Sequence, residues 1–250
     1  MSKWDNFPLL AFDVESSGIR PLEDRILTAA LVEFRPGHRP VATSYVTDPG
    51  VDIPAEATEV NGLTRDWLAA NATHTPEQMV FELSSRLASW MHRGFPVVVF
   101  NGAFDLTMLE AESLRHDCPT LLDRLGVGKV APVMDIYVLD KQADRYRKGG
   151  RKLVDLCAQY GVVHAGAHDA TADAVATARL FPRVMAKHAR KFPAASLGSL
   201  HRDQVSWRRE QMDGLRSYFD KKGIEHDGCD PGWPTYLSLQ KHYSGDRVPA

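Results

Sequence analysis

The feature that most constrains this chain is a pair of carboxylates placed two residues apart at the end of an apolar run. The run Leu9-Leu10-Ala11-Phe12 leads into Asp13, and Glu15 follows two positions later. Side chains of a strand alternate with a period of two, so both carboxylates leave the strand on one face. Two carboxylates on a buried strand repel each other and lose solvation unless a cation lies between them, and Mg²⁺ favours such oxygen ligands. The alternative is a strand that merely alternates between core and solvent.

Composition sets the scale of the fold and its range of partners. The chain has 250 residues with 44% hydrophobic content, which is enough for one full domain and an appendage. Its formal net charge is -2, yet basic residues concentrate between Lys141 and Lys152 and from Arg183 to Lys222. These stretches offer basic surface to a polyanion, or they are solvated faces of loops and helices.

The cysteines and the hydropathy pattern indicate the compartment. Cys118, Cys157 and Cys229 lie far apart without a Cys-x-x-Cys pair, so neither a zinc site nor a disulfide framework is indicated. A reducing, intracellular setting is the default for such a chain. There is no apolar run of about 18 residues and no charged-then-apolar leader. We therefore expect a soluble, cytoplasmic protein without membrane contact.

The first half of the chain is predicted to form three strands, followed by alternating helices and strands. Three strand-like runs are joined by turns that contain Pro or Gly and predict an antiparallel meander: Leu9 to Glu15, Ile26 to Phe34 and Val41 to Thr47. Thr75-Pro76-Glu77-Gln78 combines an N-cap, a first-turn proline and a capping-box residue, so a helix begins there. Pro96 to Phe100 is apolar throughout, as in a strand buried on both faces, and a helix that carries Asp105 follows.

The second half predicts one more strand and a series of helices. We expect a strand over Val133 to Tyr137, a helix from Leu153 to Tyr160 that Gly161 closes, and a long helix from Asp169 with a kink at Pro182. These elements complete an α/β domain over residues 1–190. Residues 191–250 then form a helical extension and a tail.

Further acidic residues and two histidines follow at separated positions. Asp105 lies in the first turn of a helix, where a carboxylate is often only a favourable partner of the helix dipole. His168 lies at the entrance of the helix that carries Asp173, and His164 is a competing histidine at a different spacing. The sequence has no Gly-x-Gly-x-x-Gly or Gly-Lys-Ser/Thr motif, so an unrelated nucleotide-binding fold is not supported.

Taken together, three motifs resemble those of the DEDDh family of 3′-5′ exonucleases, the DnaQ-like group. They are Phe12-Asp13-Val14-Glu15, Asn101-Gly102-Ala103-Phe104-Asp105 and the pattern His-x-Ala-x-x-Asp from His168 to Asp173. The histidine five residues before the last aspartate is typical of the histidine subtype. The resemblance implies an α/β, ribonuclease H-like fold: a mixed five-stranded sheet flanked by helices, here with a C-terminal helical extension.

The resemblance also implies a role for each site residue. Asp13, Glu15, Asp105 and Asp173 would hold two Mg²⁺ ions, with Mn²⁺ as a substitute, and His168 would take a proton from the attacking water. Four further residues would bind the 3′ end of the strand: Ser16 at the terminal hydroxyl, Leu63 and Phe104 against the last bases, and Asn101 in support. The alternative for Leu63 and Phe104 is plain core packing.

Four positions depart from the family pattern and bear on substrate choice. Asn61 and Phe100 replace histidines, and Ser16-Ser17 replaces a pair of threonines. The expected function is a metal-dependent 3′-5′ exonuclease that releases nucleoside 5′-monophosphates from single-stranded DNA. The partners are then nucleic acid with a free 3′ end, DNA favoured, and a polymerase or repair protein. The alternatives are an exoribonuclease or oligoribonuclease-like enzyme, and a non-catalytic adaptor that binds nucleic acid or a polymerase.

The final helix allows two interpretations. Its basic residues would contact the nucleic acid backbone without sequence preference, namely Arg202, Arg208, Arg209 and Arg216. Alternatively, an apolar stripe docks the extension onto the core, namely Trp207, Leu215 and Phe219.

Overall fold

A computed structural model describes residues 7–166, 168–192, 196–226 and 229–239 of the chain. The strands are β1 (Leu9–Ser16), β2 (Ile26–Phe34), β3 (Val41–Val46), β4 (Val97–Val99) and β5 (Val133–Asp135). The helices are α1 (Ala55–Asn61), α2 (Arg65–Asn71), α3 (Pro76–His92), α4 (Ala103–Arg115), α5 (Leu121–Leu125), α6 (Ile136–Ala143), α7 (Leu153–Tyr160), α8 (Ala170–Lys187) and α9 (Leu197–Lys222). Among the described residues, no helix is both long enough and apolar enough to cross a membrane.

The strands form one mixed, five-stranded sheet in the order β3-β2-β1-β4-β5. β1 pairs antiparallel with β2, and β2 pairs antiparallel with β3, so the predicted meander is confirmed. β4 joins β1 in parallel, and β5 joins β4 in parallel. The all-valine β4 is buried along its length, as a parallel strand covered on both faces must be. The ribonuclease H-like sheet flanked by helices is therefore confirmed.

The two faces of β1 belong to different cores. Leu10, Phe12 and Val14 pack in the cluster that includes the apolar sides of α3 and α4. Leu9 and Ala11 pack in the other cluster, with apolar residues of α7 and α8. Because the side-chain period of a strand is two, Asp13 and Glu15 continue the Leu9 face. The predicted pair of carboxylates is thus directed to the side of the sheet that α8 covers.

Local signals in the sequence define most helix ends. Thr75 caps α3 and forms a capping box with Gln78, as predicted. Gly161 adopts the left-handed conformation that closes α7, also as predicted. The strand predicted over Val133 to Tyr137 ends at Asp135, because the Asp135 carboxylate accepts hydrogen bonds from the N–H groups of Tyr137 and Val138 and so starts α6.

The extension after residue 190 is joined to the sheet at its β5 edge. The Gln204 amide accepts a hydrogen bond from the Asp135 N–H at 2.7 Å and donates to the Val133 C=O at 3.1 Å. The Val133 N–H donates to His201 Nδ1 at 3.2 Å, and burial lowers the pKa of His201 to about 4, which keeps the ring neutral as an acceptor. Side chains of α9 thus satisfy the backbone groups that an edge strand leaves unpaired. The domain boundary near residue 190 stays a prediction.

The docking interpretation of α9 fits its contacts better than the nucleic acid interpretation does. Trp207 packs against both cores, and its ring lies 5.6 Å from that of Phe192. Arg208 is only 5% exposed, so its predicted contact with nucleic acid is wrong: the side chain is directed inward. Arg202 and Arg209 are exposed, and for them the contact stays a prediction.

Replacing Gln204 tests the attachment of α9. Gln204→Leu leaves the Val133 C=O and the Asp135 N–H buried without partners, which costs about 1–3 kcal/mol for each group. We expect the free energy of unfolding, measured by urea denaturation, to fall by at least the lower figure. Ser206→Leu places the same side chain on the exposed face of α9 and is the control. Equal stability of the two variants would contradict the edge-capping role.

Candidate active site

The acidic residues predicted from the sequence converge at the carboxyl end of β1. Asp13 and Glu15 come from β1, Asp105 from the first turn of α4, and Asp173 from the first turn of α8. Burial raises the pKa of Asp13 well above its usual value, and the charges of Asp105, Asp173 and Glu15 raise it further. The fold therefore concentrates negative charge where solvent cannot fully screen it.

The pKa values of Glu15 and Asp105 are also raised, so both carboxyl groups favour the protonated form. Burial, followed by the charges of Asp173 and Asp169, raises the pKa of Glu15 to about 7. Burial raises the pKa of Asp105 to about 8, although the Val14 N–H opposes the rise by donating to Asp105 Oδ1 at 3.1 Å. That hydrogen bond also ties the start of α4 to β1, and so fixes the position of the Asp105 carboxylate.

Two histidines flank Asp173 in different ways. His164 lies with Nε2 at 2.5 Å from Asp173 Oδ1, and its side chain is 7% exposed. Burial raises the pKa of Asp173, and its hydrogen bond with His164 lowers it. His168 is exposed, has a positive φ of 64° and is followed by Asp169, which caps α8. His164 is thus engaged with a carboxylate, and His168 faces solvent.

The donor set fits a divalent cation. Ligand atoms from Glu15, His168 and Asp173 lie within 4.8 Å of one another. Asp13 lies near this group, since the charges of Asp173 and Glu15 raise its pKa. Burial and mutual repulsion raise the pKa values of these carboxylates. A bound cation stabilises their ionised forms, because its positive charge offsets the repulsion between them. A metal ion bound by acidic residues is therefore chemically consistent with the site.

The turn between β4 and α4 is organised by Asp135, which the sequence analysis missed as a site residue. Its two carboxylate oxygens accept hydrogen bonds from the N–H groups of Asn101 and Gly102, each at 3.0 Å. Asn101 has a positive φ of 56°, and a Cβ on Gly102 would lie 2.2 Å from a methyl carbon of Val99. This turn directs Asp105 toward β1. The signal that could have identified Asp135 is an acidic N-cap directly after a short apolar strand.

Arg208 of α9 reaches the same turn. Its guanidinium donates to Asn101 Oδ1 at 3.3 Å. Burial raises the pKa of Asp135, and the charge of Arg208 is the largest effect that opposes the rise. The side chain that was predicted to contact nucleic acid therefore holds the Asn101 side chain, and its charge opposes the effect of burial on the Asp135 carboxyl group.

An open cleft of about 510 Å³ adjoins the acidic cluster. Glu15, Ser16 and Phe104 line it, and the predicted contacts of Ser16 and Phe104 with the 3′ end stay a prediction. Ile19, 89% exposed, and Val60, 57% exposed, line it as well. Sequence reasoning missed these two residues, because Ile19 lies in a turn and Val60 in the short helix α1, which buries none of its residues, so neither belongs to a periodic apolar face.

Asn61 connects the other predicted binding residues. Its amide donates to the Ser16 C=O at 3.1 Å and accepts from the Leu63 N–H at 3.0 Å. Leu63 is partly buried and is not among the residues that line the 510 Å³ cleft. Asn101 lines a different cleft, on the α9 side of the turn. The structure thus brings Ser16 and Phe104 together and leaves Leu63 and Asn101 at the margins.

Comparison with known proteins identifies the family to which this chain belongs. The exonuclease family model RNase_T matches residues 10–181. DNA polymerase III subunit epsilon of Treponema pallidum is 27% identical over 188 residues, which are 72% of this chain and 78% of that protein. DNA polymerase III PolC-type of Streptococcus pneumoniae is 26% identical over 198 residues. These cover 79% of this chain and only 12% of the PolC-type protein.

Solved structures share the fold. E. coli Exonuclease I in complex with a dA16 oligonucleotide matches with a TM-score of 0.63 at 18% identity. The match covers 75% of this chain and 42% of the E. coli chain, so this chain spans less than half of that enzyme. A zinc-bound form of the E. coli Exonuclease I complex with single-stranded DNA gives the same TM-score of 0.63. The match of the family model over most of the sequence shows that this chain belongs to the DnaQ-like family of 3′-5′ exonucleases.

Proposed function

We propose that this protein is a metal-dependent exonuclease that hydrolyses single-stranded DNA from its 3′ end and releases nucleoside 5′-monophosphates. The observation that carries the proposal is the cluster of carboxylates at the end of β1, placed beside an open cleft. Membership in the exonuclease family supports the reaction class. The oligonucleotide complex of E. coli Exonuclease I and the names of the polymerase III relatives favour DNA as substrate and a polymerase as partner.

The acidic residues would hold two Mg²⁺ ions, with Mn²⁺ as a substitute, through Asp13, Glu15, Asp105 and Asp173. Bound divalent cations supply a nucleophile at neutral pH and stabilise negative charge on the leaving oxygen. Burial already opposes ionisation of Glu15 and Asp105 at neutral pH. A bound cation would therefore strongly stabilise the ionised forms of these two residues.

His168 is the proposed general base, which takes the proton of the attacking water. An imidazole titrates near neutral pH and is suited to this transfer. His168 is exposed toward solvent and close to Glu15 and Asp173, whereas His164 is already bound to Asp173. His164 would then orient the Asp173 carboxylate and leave proton transfer to His168.

The 510 Å³ cleft is the proposed site for the terminal nucleotide. Phe104 offers an aromatic surface, and the exposed Ile19 and Val60 add apolar contacts at the rim. Contacts of this kind tolerate any base, because every base has a flat face. Ser16 would bond the 3′ hydroxyl, and Asn61 holds the backbone of Ser16 in place. RNA or short oligonucleotides remain the second candidate substrate. A non-catalytic adaptor does not explain why the chain carries the expected residue at all five positions that the family resemblance predicts to be catalytic.

A strand degradation assay tests the proposal. Purified protein is incubated with matched 5′-labelled DNA and RNA strands, with Mg²⁺ or with EDTA. We expect a ladder of shortened, labelled DNA strands with Mg²⁺, and intact strands with EDTA. Asp13→Asn is the inactive control. Intact strands in every condition would contradict the enzyme, release of a labelled mononucleotide would contradict the direction, and faster loss of RNA would favour the second substrate.

The two histidines should respond differently to removal. His168→Ala should lower kcat by about 10²–10⁴-fold, the usual contribution of a positioned base, without a comparable loss of metal affinity. Activity of that variant should recover in part as the pH rises, since hydroxide becomes more available. His164→Ala is the matched variant, and it should lower metal affinity because Asp173 loses its partner. Unchanged turnover of His168→Ala near pH 7, measured as a pH-rate profile, would exclude His168 as the base.

The raised pKa values predict an unusual pH dependence of stability. A carboxylate whose pKa is higher in the folded state binds more protons there, so stability falls as the pH rises. The window runs from the usual values of 4.5 for Glu15 and 3.8 for Asp105 to about 7 and about 8 in the folded protein. We expect the Tm of the EDTA-treated protein to fall across this window. Mg²⁺ should restore the Tm at its upper end and have little effect at its lower end; a Tm that rises with pH in EDTA would contradict the cluster.

A further inference from the structure

A second cleft lies on the other side of the turn that starts α4. We name it the α9 cleft; its volume is about 400 Å³, and it is lined by Phe100, Asn101, Tyr137, Lys152 and Phe219, with other residues of α9 and of the segment after it. Ligand sites commonly have volumes of about 300–1,000 Å³. The cleft exists because α9 packs beside β5 and α6, so it depends on the extension after residue 190.

The walls of the α9 cleft combine aromatic rings and cations. The rings of Phe100 and Tyr137 meet edge to face with centroids 6.1 Å apart. Lys152 lines the cleft and is exposed, and the Lys141 ammonium, which is not part of the lining, lies 5.4 Å from the centroid of the Tyr137 ring. Aromatic surfaces with cations beside them are the features that bind single-stranded nucleic acid without sequence preference.

The orientation of Asn101 gives the cleft a polar group with a defined role. Arg208 can only donate hydrogen bonds, so the Asn101 atom at 3.3 Å from its guanidinium is the amide oxygen. The amide nitrogen of Asn101, with its two hydrogens, then remains as a donor at the cleft. Two contacts fix this arrangement: Arg208 holds the Asn101 side chain, and Asp135 holds the Asn101 backbone N–H.

The two clefts lie on either side of one short turn. Asn101 lines the α9 cleft, and Phe104, three positions later, lines the cleft beside the acidic cluster. We propose that the α9 cleft binds a nucleotide upstream of the 3′ terminus in the same strand. The inference rests on the proposed exonuclease function. In this proposal, a strand held at its 3′ end beside Phe104 continues past this turn, where its phosphates meet the Asn101 donor and the Lys152 charge.

The length dependence of hydrolysis tests this inference. The variants are Tyr137→Leu and Lys152→Gln, and the controls are Tyr146→Leu and Lys148→Gln, which carry the same substitutions at residues that do not line the cleft. For a hexanucleotide we expect each cleft variant to raise KM, by about tenfold for the loss of one stacked base, with kcat unchanged. For a dinucleotide, KM should stay at the wild-type value in all four variants.

Other outcomes separate the inference from the function. If the wild-type protein hydrolyses both substrates and the cleft variants keep the wild-type KM for the hexanucleotide, the inference is wrong and the exonuclease function stands. An equal rise in KM for both substrates would also overturn it. If the wild-type protein hydrolyses neither substrate, the proposed function itself fails.

A crosslinking measurement needs no substitution and so does not depend on folding of the variants. Strands with 5-iododeoxyuridine at single positions are bound to the wild-type protein in EDTA and irradiated. An upstream base should crosslink to Phe100, Tyr137 or Phe219. Crosslinks confined to residues beside the acidic cluster, from every position of the strand, would overturn the inference.

Discussion

The mutual repulsion of carboxylates at the end of β1 is the constraint on which the rest of the site depends. Asp13 and Glu15 share one face of the strand because the side-chain period is two, and α8 brings Asp173 to that side. Asp105, at the start of α4, reaches the end of the same strand through the hydrogen bond that it accepts from the Val14 N–H. Without a cation, this arrangement favours protonated, neutral carboxyl groups. Strand pairing holds β1 at both edges, with β2 on one side and β4 on the other. Apolar cores on both faces of the sheet also hold β1 in place.

Another buried carboxylate, Asp135, differs from the cluster because hydrogen-bond donors surround it. It is fully buried, and it accepts hydrogen bonds from two adjacent N–H groups in the β4–α4 turn, from the start of α6 and from the indole of Trp233. Arg208 adds a compensating charge. Its hydrogen-bonding capacity is thus used within the protein, whereas the carboxylates of the cluster accept fewer hydrogen bonds and repel one another. The first environment gives structural rigidity, and the second gives affinity for a cation.

Much of this architecture could be predicted from local sequence signals. The meander, the buried β4, the capping box of α3 and the carboxylate motifs all follow from periodicity and capping, which act over a few residues. The roles of Asp135 and Arg208 could not be predicted, because they depend on contacts between residues more than 30 positions apart. Arg208 in particular has the composition of a surface residue, and only the packing of α9 against β5 buries it. The exposed Ile19 is a similar case, because its position beside the cleft follows from the path of a turn.

Proton release on metal binding tests the central claim most directly. If Glu15 and Asp105 hold protons near pH 7 because burial and nearby negative charges raise their pKa values, a divalent cation must displace those protons. The measurement is calorimetric titration of the metal-free protein with Mn²⁺ near pH 7 in buffers of different ionisation enthalpy. The account predicts release of about one proton or more for each protein molecule saturated with metal, and less release at a pH above 8. Metal binding without proton release near pH 7 would contradict it.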